Sequence, residues 1–228
     1  MSREALTAEH ATAPAGCPLC GASGPFRPLS DRWGRHHQLC AGCGLIFTDR
    51  ALLPSADQEK ARYQLHQNRP DDAGYVAFLR HALDGARPWL SDVSTALDYG
   101  CGPGPVLSRL LQEEGVLCAH WDPYFFPDPP ARTRFDAVFA TEVVEHFHEP
   151  GRDWTHMLTL LAKGGLLVIM TERWQTPEAF PTWSYANDFT HVAFYHDRTM
   201  DWLARRHHLI RLPSKEPRVI LFRKPGQA

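Results

Sequence analysis

The hydrophobic pattern changes period several times along the chain, and each change marks an element. After Asp72, Tyr75, Phe78, Leu79 and Leu83 fall at i, i+3, i+4 and i+8, one face of a helix. Residues 96–99 form a short apolar run that reads as a strand. It enters Gly100-Cys101-Gly102-Pro103-Gly104, after which Val106, Leu107, Leu110 and Leu111 mark a second helical face ending at Gly115. Residues 116–121 and 135–140 read as two further strands. A helix from about Gly151 carries Trp154, Met157, Leu158 and Leu161 on one face, with Gly164-Gly165 as its terminator. Residues 166–170 are apolar throughout, as expected of a strand covered by helices on both faces. Residues 198–206 predict a helix with Asp197 as N-cap and Met200, Trp202 and Leu203 inward. Residues 209–212 and 219–222 predict a closing antiparallel hairpin. Strands alternating with helices imply an α/β fold: a Rossmann-like, mostly parallel sheet with a C-terminal antiparallel hairpin.

The first third does not follow this rhythm, and its cysteines explain it. Cys17-Pro-Leu-Cys20 and Cys40-Ala-Gly-Cys43 are two C-x2-C pairs with 19 residues between them. Two residues between thiolates let one tight turn present both sulfurs to a single tetrahedral ion, and four thiolates leave no open position, so the pattern predicts a structural zinc site. A lone C-x2-C equally fits a dithiol redox pair; two at this separation favour zinc. Gly21 and Gly44 follow the pairs, where positive φ is common, and residues 45–47 read as a strand closing a zinc ribbon. Residues 48–71 show no clear periodicity. The implied division is a disordered N-terminus over 1–14, a ribbon over 15–50, a linker over 51–71 and an α/β domain over 72–228.

Composition narrows the classes. The 228 residues are 43% hydrophobic and 22% charged with a formal net charge of −2, ordinary for a globular protein and without a basic excess to grip nucleic acid. No apolar run is long enough for a membrane-spanning helix, and the first 16 residues lack the apolar stretch of a secretory signal. A cytoplasmic location is expected. Arg27, Arg32 and Arg35 form only a weak basic cluster near the ribbon tip.

Glycines at alternating positions between a strand and a helix let backbone approach a ligand closely, at a helix N-terminus that favours polar groups. Asp98 ends the preceding strand. Asp122 stands 18 positions past Gly104 at the end of the next strand, placed to bind both hydroxyls of a ribose. The segments LDYGCGPG (97–104), DPY (122–124), FDAVFATEVVEHF (135–147) and LLAKGGLLVIMTE (160–172) together resemble the class I S-adenosylmethionine-dependent methyltransferases over about two thirds of the chain, from 75 to 222. The four-cysteine knuckle ahead of such a domain looks like a bacterial subgroup that includes sugar methyltransferases. The resemblance implies that S-adenosylmethionine is the cofactor. Asp98, Gly100, Cys101, Gly102 and Gly104 would cradle its methionine part, Asp122 its ribose, and Pro123, Tyr124, Thr141 and Glu142 would complete the cofactor site. Cys101 reads as packing within that loop.

One stretch departs from the family. Only 12 residues, 123–134, separate Asp122 from the next strand, and four are proline. No ordinary helix fits there, so the usual third strand at this sheet edge should be reduced or missing. Adenine would then stack on Tyr124, Phe125 or Phe126.

The candidate catalytic groups lie past the fourth strand of such a sheet. If helical, Glu142 and His146 share a face at i and i+4. Glu145 and His146 fit a scaffold role; His146 also fits a general base, or a second metal site made of Glu142, His146 and His191. The aromatic segment Trp174, Phe180, Trp183 and Tyr185 is placed to close over a substrate, and Asp188 with His191 fits an orienting acid and a base. The same residues equally fit internal packing. The expected activity is methyl transfer to a small molecule. An RNA methyltransferase using the ribbon, or a protein that binds the cofactor without methyl transfer, is the alternative.

Overall fold

The computed structural model describes residues 16–65 and 69–226. The predicted disordered N-terminus, 1–14, lies outside the described residues.

Among the described residues, ten strands form two sheets. The smaller is built from β1 (Phe26–Ser30), β2 (His36–Cys40), β3 (Ile46–Thr48) and β8 (Ala193–Phe194), all antiparallel in the order β1-β2-β3-β8. The larger comprises β4 (Thr95–Tyr99), β5 (Leu117–Trp121), β6 (Phe135–Thr141), β7 (Leu161–Met170), β9 (Ile210–Leu212) and β10 (Val219–Arg223). Its order is β5-β4-β6-β7-β10-β9: the first four strands run parallel, and the β9–β10 hairpin is antiparallel. This is the expected sheet, and it ends at β5. Residues 123–134 form neither helix nor paired strand, beyond a single bridge between Asp122 and Phe126. The proline-rich stretch has removed the outer strand, as its length requires.

Five α-helices accompany the sheets among the described residues: α1 (Ala56–Gln64), α2 (Ala73–Ala86), α3 (Val106–Glu113), α4 (Pro150–Thr159) and α5 (Asp197–Arg206). The predicted faces of α2 and α3 are buried together, with Leu79, Leu83, Leu107 and Leu111 in one cluster against β4, β6 and β7. Asp72 caps α2 by accepting from the backbone of Gly74 and Tyr75.

Several local readings change. The cap of α5 is His196, whose Nδ1 accepts from Arg198 N at 3.0 Å while Thr199 Oγ1 accepts from His196 N, so Asp197 is the first helical residue. Gly164 and Gly165 do not end a helix. α4 stops at Thr159 and the glycines lie inside β7, where a Cβ on Gly165 would sit 2.7 Å from Leu161 and 3.0 Å from Asp136 O. Residues 51–71, expected to be featureless, contain α1. A capping box holds its start: Ser55 Oγ accepts from Gln58 N, and Gln58 Oε1 from Ser55 N.

The ribbon is not a bead on a string. Cys17, Leu19, Cys40, Cys43, Leu45 and Phe47 share one buried cluster with Trp154, Tyr195, Met200 and Phe222. β3 pairs with β8, Gly151 N at the start of α4 donates to Pro18 O (3.0 Å), and Trp174 Nε1 donates to Gly44 O (3.2 Å).

Candidate active site

The carboxyl ends of β4, β5 and β6 open on a cavity of about 1010 Å³, in the crevice where open α/β sheets bind ligands. Its floor is the glycine loop. Gly100 and Gly102 take φ of 77° and 64°, the left-handed region glycine tolerates. Gly100 N and Cys101 N both donate to Trp121 O, which ties the loop to β5. Asp122 then organises the turn on its other side: Oδ2 accepts from Gly102 N (2.9 Å), and Oδ1 from Tyr124 N (2.8 Å) and Phe125 N (3.1 Å). Asp98 is buried beneath the loop and accepts from Ser108 Oγ; burial pushes its carboxyl up to about 7. Cys101 is buried, and burial raises its thiol above the usual range, which fits packing and not nucleophilic attack.

Gly100 has no room for a side chain. A Cβ there would lie 2.7 and 2.8 Å from the two Val143 methyls, on backbone that L-residues avoid. Gly100→Ala should therefore cost about 2–4 kcal/mol, combining left-handed strain with overpacking. Denaturant unfolding measures it; a loss under about 0.5 kcal/mol would mean that Val143 simply moves aside.

The roof is α1, which shows no apolar periodicity in the sequence. Glu59, buried, accepts from Tyr124 OH (2.6 Å) and from Tyr63 OH (3.4 Å), and its carboxylate pairs with His148 Nε2 (3.0 Å). That last contact holds the His148 imidazole above its usual value. Arg62 reaches Asp188 Oδ2 with Nη2 (2.7 Å) and Nε (3.0 Å). Of the aromatics proposed for adenine, Tyr124 lines the cavity. Phe125 and Phe126 do not; Phe126 packs on His120, and Tyr99 and Trp121 line that end instead.

The opposite wall carries acids and imidazoles. Thr141 ends β6, and Glu142 follows at φ 53°, a left-handed residue before the tight turn Val144–His146. Glu142 and His146 therefore do not share a helix face. Tyr185 OH contacts Glu145 Oε1 (2.5 Å) and Glu142 Oε2 (3.1 Å), and Thr171 Oγ1 donates to Glu145 Oε2 (3.0 Å). Burial raises both carboxyls, and for Glu145 the neighbouring Glu142 adds to it. One hydroxyl hydrogen serves only one of the two Tyr185 contacts, so the second requires a proton on a carboxyl, consistent with that upward push.

His146 and His191 lie with ring centroids 4.8 Å apart. Nδ1 of His146 donates to Thr190 O (2.9 Å) and Nδ1 of His191 to Tyr185 O (2.7 Å). Burial lowers both imidazoles, to about 3 and about 4, so both are neutral near pH 7. Asp188 does not orient His191 through its carboxylate. That group accepts from Thr190 N and Oγ1 and from Arg62; burial opposes its ionisation, but these bonds outweigh burial and hold it well below the usual range. Of the aromatic segment, only Tyr185 reaches the cavity. Trp174, Phe180 and Trp183 pack with Ile46 and Phe194 between the small sheet and the site, so this segment is a wedge and not a lid.

The four ribbon cysteines converge away from this cavity. Their Sγ atoms lie within 4.8 Å of one another, with Cys17–Cys43 and Cys20–Cys40 each at 3.6 Å. The two knuckles repeat one another: Gly21 N donates to Cys17 O and Gly44 N to Cys40 O, both at 2.9 Å, with φ of 74° and 79° at the glycines.

The parallel sheet, glycine loop and two strand-end acids define a Rossmann-like enzyme that holds a nucleotide-type ligand over its strand ends. Residues 66–209 match a family model described as a methyltransferase domain, and the chain belongs to that family, the S-adenosylmethionine-dependent methyltransferases. Among solved structures, an O-methyltransferase family protein from Burkholderia thailandensis is similar at 15% identity and TM-score 0.51, over 78% of this chain and 66% of that one. This chain thus spans just under two thirds of that protein's length. The N-methyltransferase NodS from Bradyrhizobium japonicum WM9 is 19% identical with TM-score 0.43, over 68% of this chain and 99% of its own. The plantazolicin methyltransferase BpumL, in complex with a monoazolic substrate analog and SAH, is 13% identical with TM-score 0.47, over 75% and 91%. At 15% identity the likeness to the Burkholderia protein is one of fold alone. No curated protein matches the chain in sequence.

Proposed function

We propose that this protein transfers a methyl group from S-adenosylmethionine to a small-molecule acceptor, and that the four-cysteine cluster holds a structural zinc ion. The observation that carries the reading is a cavity with two chemically distinct ends: the glycine loop with Asp98 and Asp122 at one, the Glu142–His146–His191 wall at the other, with Glu145 buried behind it. At about 1010 Å³ it matches the upper range of small-ligand pockets, room for a cofactor and a modest acceptor together. When bound, S-adenosylmethionine supplies an activated methyl group. Asp98, Gly100, Cys101, Gly102, Gly104 and Asp122 would hold it, with Pro123, Tyr124, Thr141 and Glu142 completing its site. The chain's own contribution is then to orient the acceptor and take up its proton. His191 suits the role of proton acceptor, because it is neutral, its tautomer is fixed by the Tyr185 carbonyl, and Nε2 keeps a lone pair. Glu145, His146 and Asp188 position it and its loop.

For zinc, Zn–S bonds of about 2.3 Å put tetrahedral sulfurs about 3.8 Å apart, close to the spacing here. Two of the ribbon's three clustered arginines are engaged within the fold, Arg27 by Glu178 and Arg35 by Asp31 and the Ala186 and Asp188 carbonyls, and the exposed Arg32 lies over the Trp33 ring. That weighs against RNA as the acceptor. A cytoplasmic location is part of the same proposal; among the described residues no helix is long and apolar enough to cross a membrane.

His191→Ala should lower turnover at least about tenfold, the low end of what a positioned base contributes, with cofactor affinity within about twofold of wild type. A labelled-methyl assay on metabolite extract, paired with calorimetry of cofactor binding, tests both. Label in RNA but not in small molecules would overturn the acceptor class, and cofactor binding without label transfer would point to a non-methylating protein.

A further inference from the structure

We propose that Glu145, His146 and His191 bind a divalent transition-metal ion between the two imidazoles that line the cavity and the carboxylate buried behind them, separate from the four-cysteine cluster. One ligand atom from each of the three lies within 4.8 Å of the others. The hydrogen bonds around them decide what those atoms can do. A carbonyl oxygen only accepts, so Nδ1 of His146, facing Thr190 O, and Nδ1 of His191, facing Tyr185 O, must both carry hydrogen. Both rings are thereby fixed as tautomers with a lone pair on Nε2. Each oxygen of Glu145 takes one hydrogen bond, from Tyr185 or Thr171, and keeps a second lone pair.

All three ligands thus have the outer partner that metal ligands characteristically have: a carbonyl behind each imidazole and donors behind the carboxylate. The backbone fixes the convergence, because Val192 N donates to Glu145 O (2.8 Å) and joins the turn after β6 to the His191 loop. Two imidazoles and one carboxylate suit Zn²⁺, Mn²⁺, Co²⁺ or Fe²⁺, and three ligands leave positions open for an acceptor oxygen. The binding claim stands by itself. Its use, drawing an acceptor hydroxyl to the ion and acidifying it so that the proton passes to water, rests on the methyl-transfer reading above and takes the place of His191 as proton acceptor, since the ion would hold the Nε2 lone pair.

Mn²⁺ is the probe, since a hard ion does not displace a softer one from four thiolates. Titration of the full-length protein, ribbon ion in place, followed by the electron paramagnetic resonance of free Mn²⁺, should show about one Mn²⁺ per chain. His191→Ala and the milder His191→Gln should each weaken binding at least about 100-fold, as should His146→Ala. His207→Ala, away from the cavity, should bind as wild type. Circular dichroism confirms that each variant is folded, and His191→Gln carries the test if His146→Ala is not. Sub-stoichiometric Mn²⁺, or Mn²⁺ retained by the folded His191 variants, overturns the proposal. Calorimetry with S-adenosylmethionine on the same samples separates the two readings. Cofactor binding without Mn²⁺ sinks the metal site alone; Mn²⁺ binding without cofactor sinks the methyl-transfer reading alone.

Discussion

Stripping the proposed zinc from the four-cysteine cluster, or replacing Cys43 with Ser, should lower the melting temperature of the whole chain by at least about 10 °C. The reason is where the ribbon sits. Leu19, Leu45, Ile46 and Phe47 are buried, and all but Ile46 belong to the same cluster as Trp154, Tyr195 and Phe222 of the large-sheet layer. Each such side chain contributes roughly 1.5–3 kcal/mol when buried, so releasing even two costs about 3–6 kcal/mol. At about 2–4 °C per kcal/mol for a chain of this size, two such side chains give about 6–24 °C, and the release of a third brings even the low end close to the stated shift. The polar ties fail together with the apolar ones: β3 leaves β8, Gly44 O loses the Trp174 indole, and Ala41 O and Gly42 O lose Arg198. The site should loosen in the same transition, because Arg35 of the ribbon holds the carbonyls of Ala186 and Asp188, just ahead of His191. Calorimetric melting with metal content measured in parallel gives the answer. Two transitions, the larger at the wild-type temperature, would show instead that the ribbon is an independent bead.

The elements legible in the sequence are those whose information is local. The helical faces of α2 and α3, the apolar run of β7 and the glycine loop flanked by acids each declare themselves within a dozen residues. The missing outer strand was legible too, since no helix passes through four prolines in 12 residues. What stayed hidden depends on partners far away in the chain. α1 has no apolar stripe, and its one buried side chain is Glu59, tolerable inside only because Tyr124 and His148, 65 and 89 residues on, meet it. Arg62 finds Asp188 across 126 residues, and so takes the carboxylate that adjacency seemed to assign to His191. Glu142 looked like the start of a helix because spacing cannot reveal a φ of 53°. The aromatic segment misled for a related reason. A loop rich in Trp and Tyr reads as a lid until the ribbon supplies Ile46 for it to pack against.

Asp122→Ala should weaken S-adenosylmethionine binding by about 100-fold or more, the largest cofactor effect of any single change at this site. The carboxylate has two duties. It fastens the loop through the backbone N–H groups of Gly102, Tyr124 and Phe125, and in the proposed reading it is the strand-end acid that takes the ribose hydroxyls. A carboxylate offers about four lone-pair directions, so three internal bonds leave about one for the ligand. One charge-assisted bond contributes roughly 1.5–3 kcal/mol, which alone is about 10- to 150-fold in affinity. Loss of the three internal bonds adds to this, because Gly102 and Tyr124 then leave the positions that shape the cofactor end of the cavity. Asp122→Asn separates the duties. Its amide oxygen still accepts from Tyr124 and Phe125, but its NH₂ turns a donor toward Gly102 N, so the loop should loosen at the glycine side first. Calorimetry with S-adenosylmethionine and its demethylated product measures both variants, and thermal melting records the cost to the loop. An affinity within threefold of wild type for Asp122→Ala would mean that the ribose is held elsewhere, with Trp121 and Tyr99 at the open sheet edge as the next groups to test.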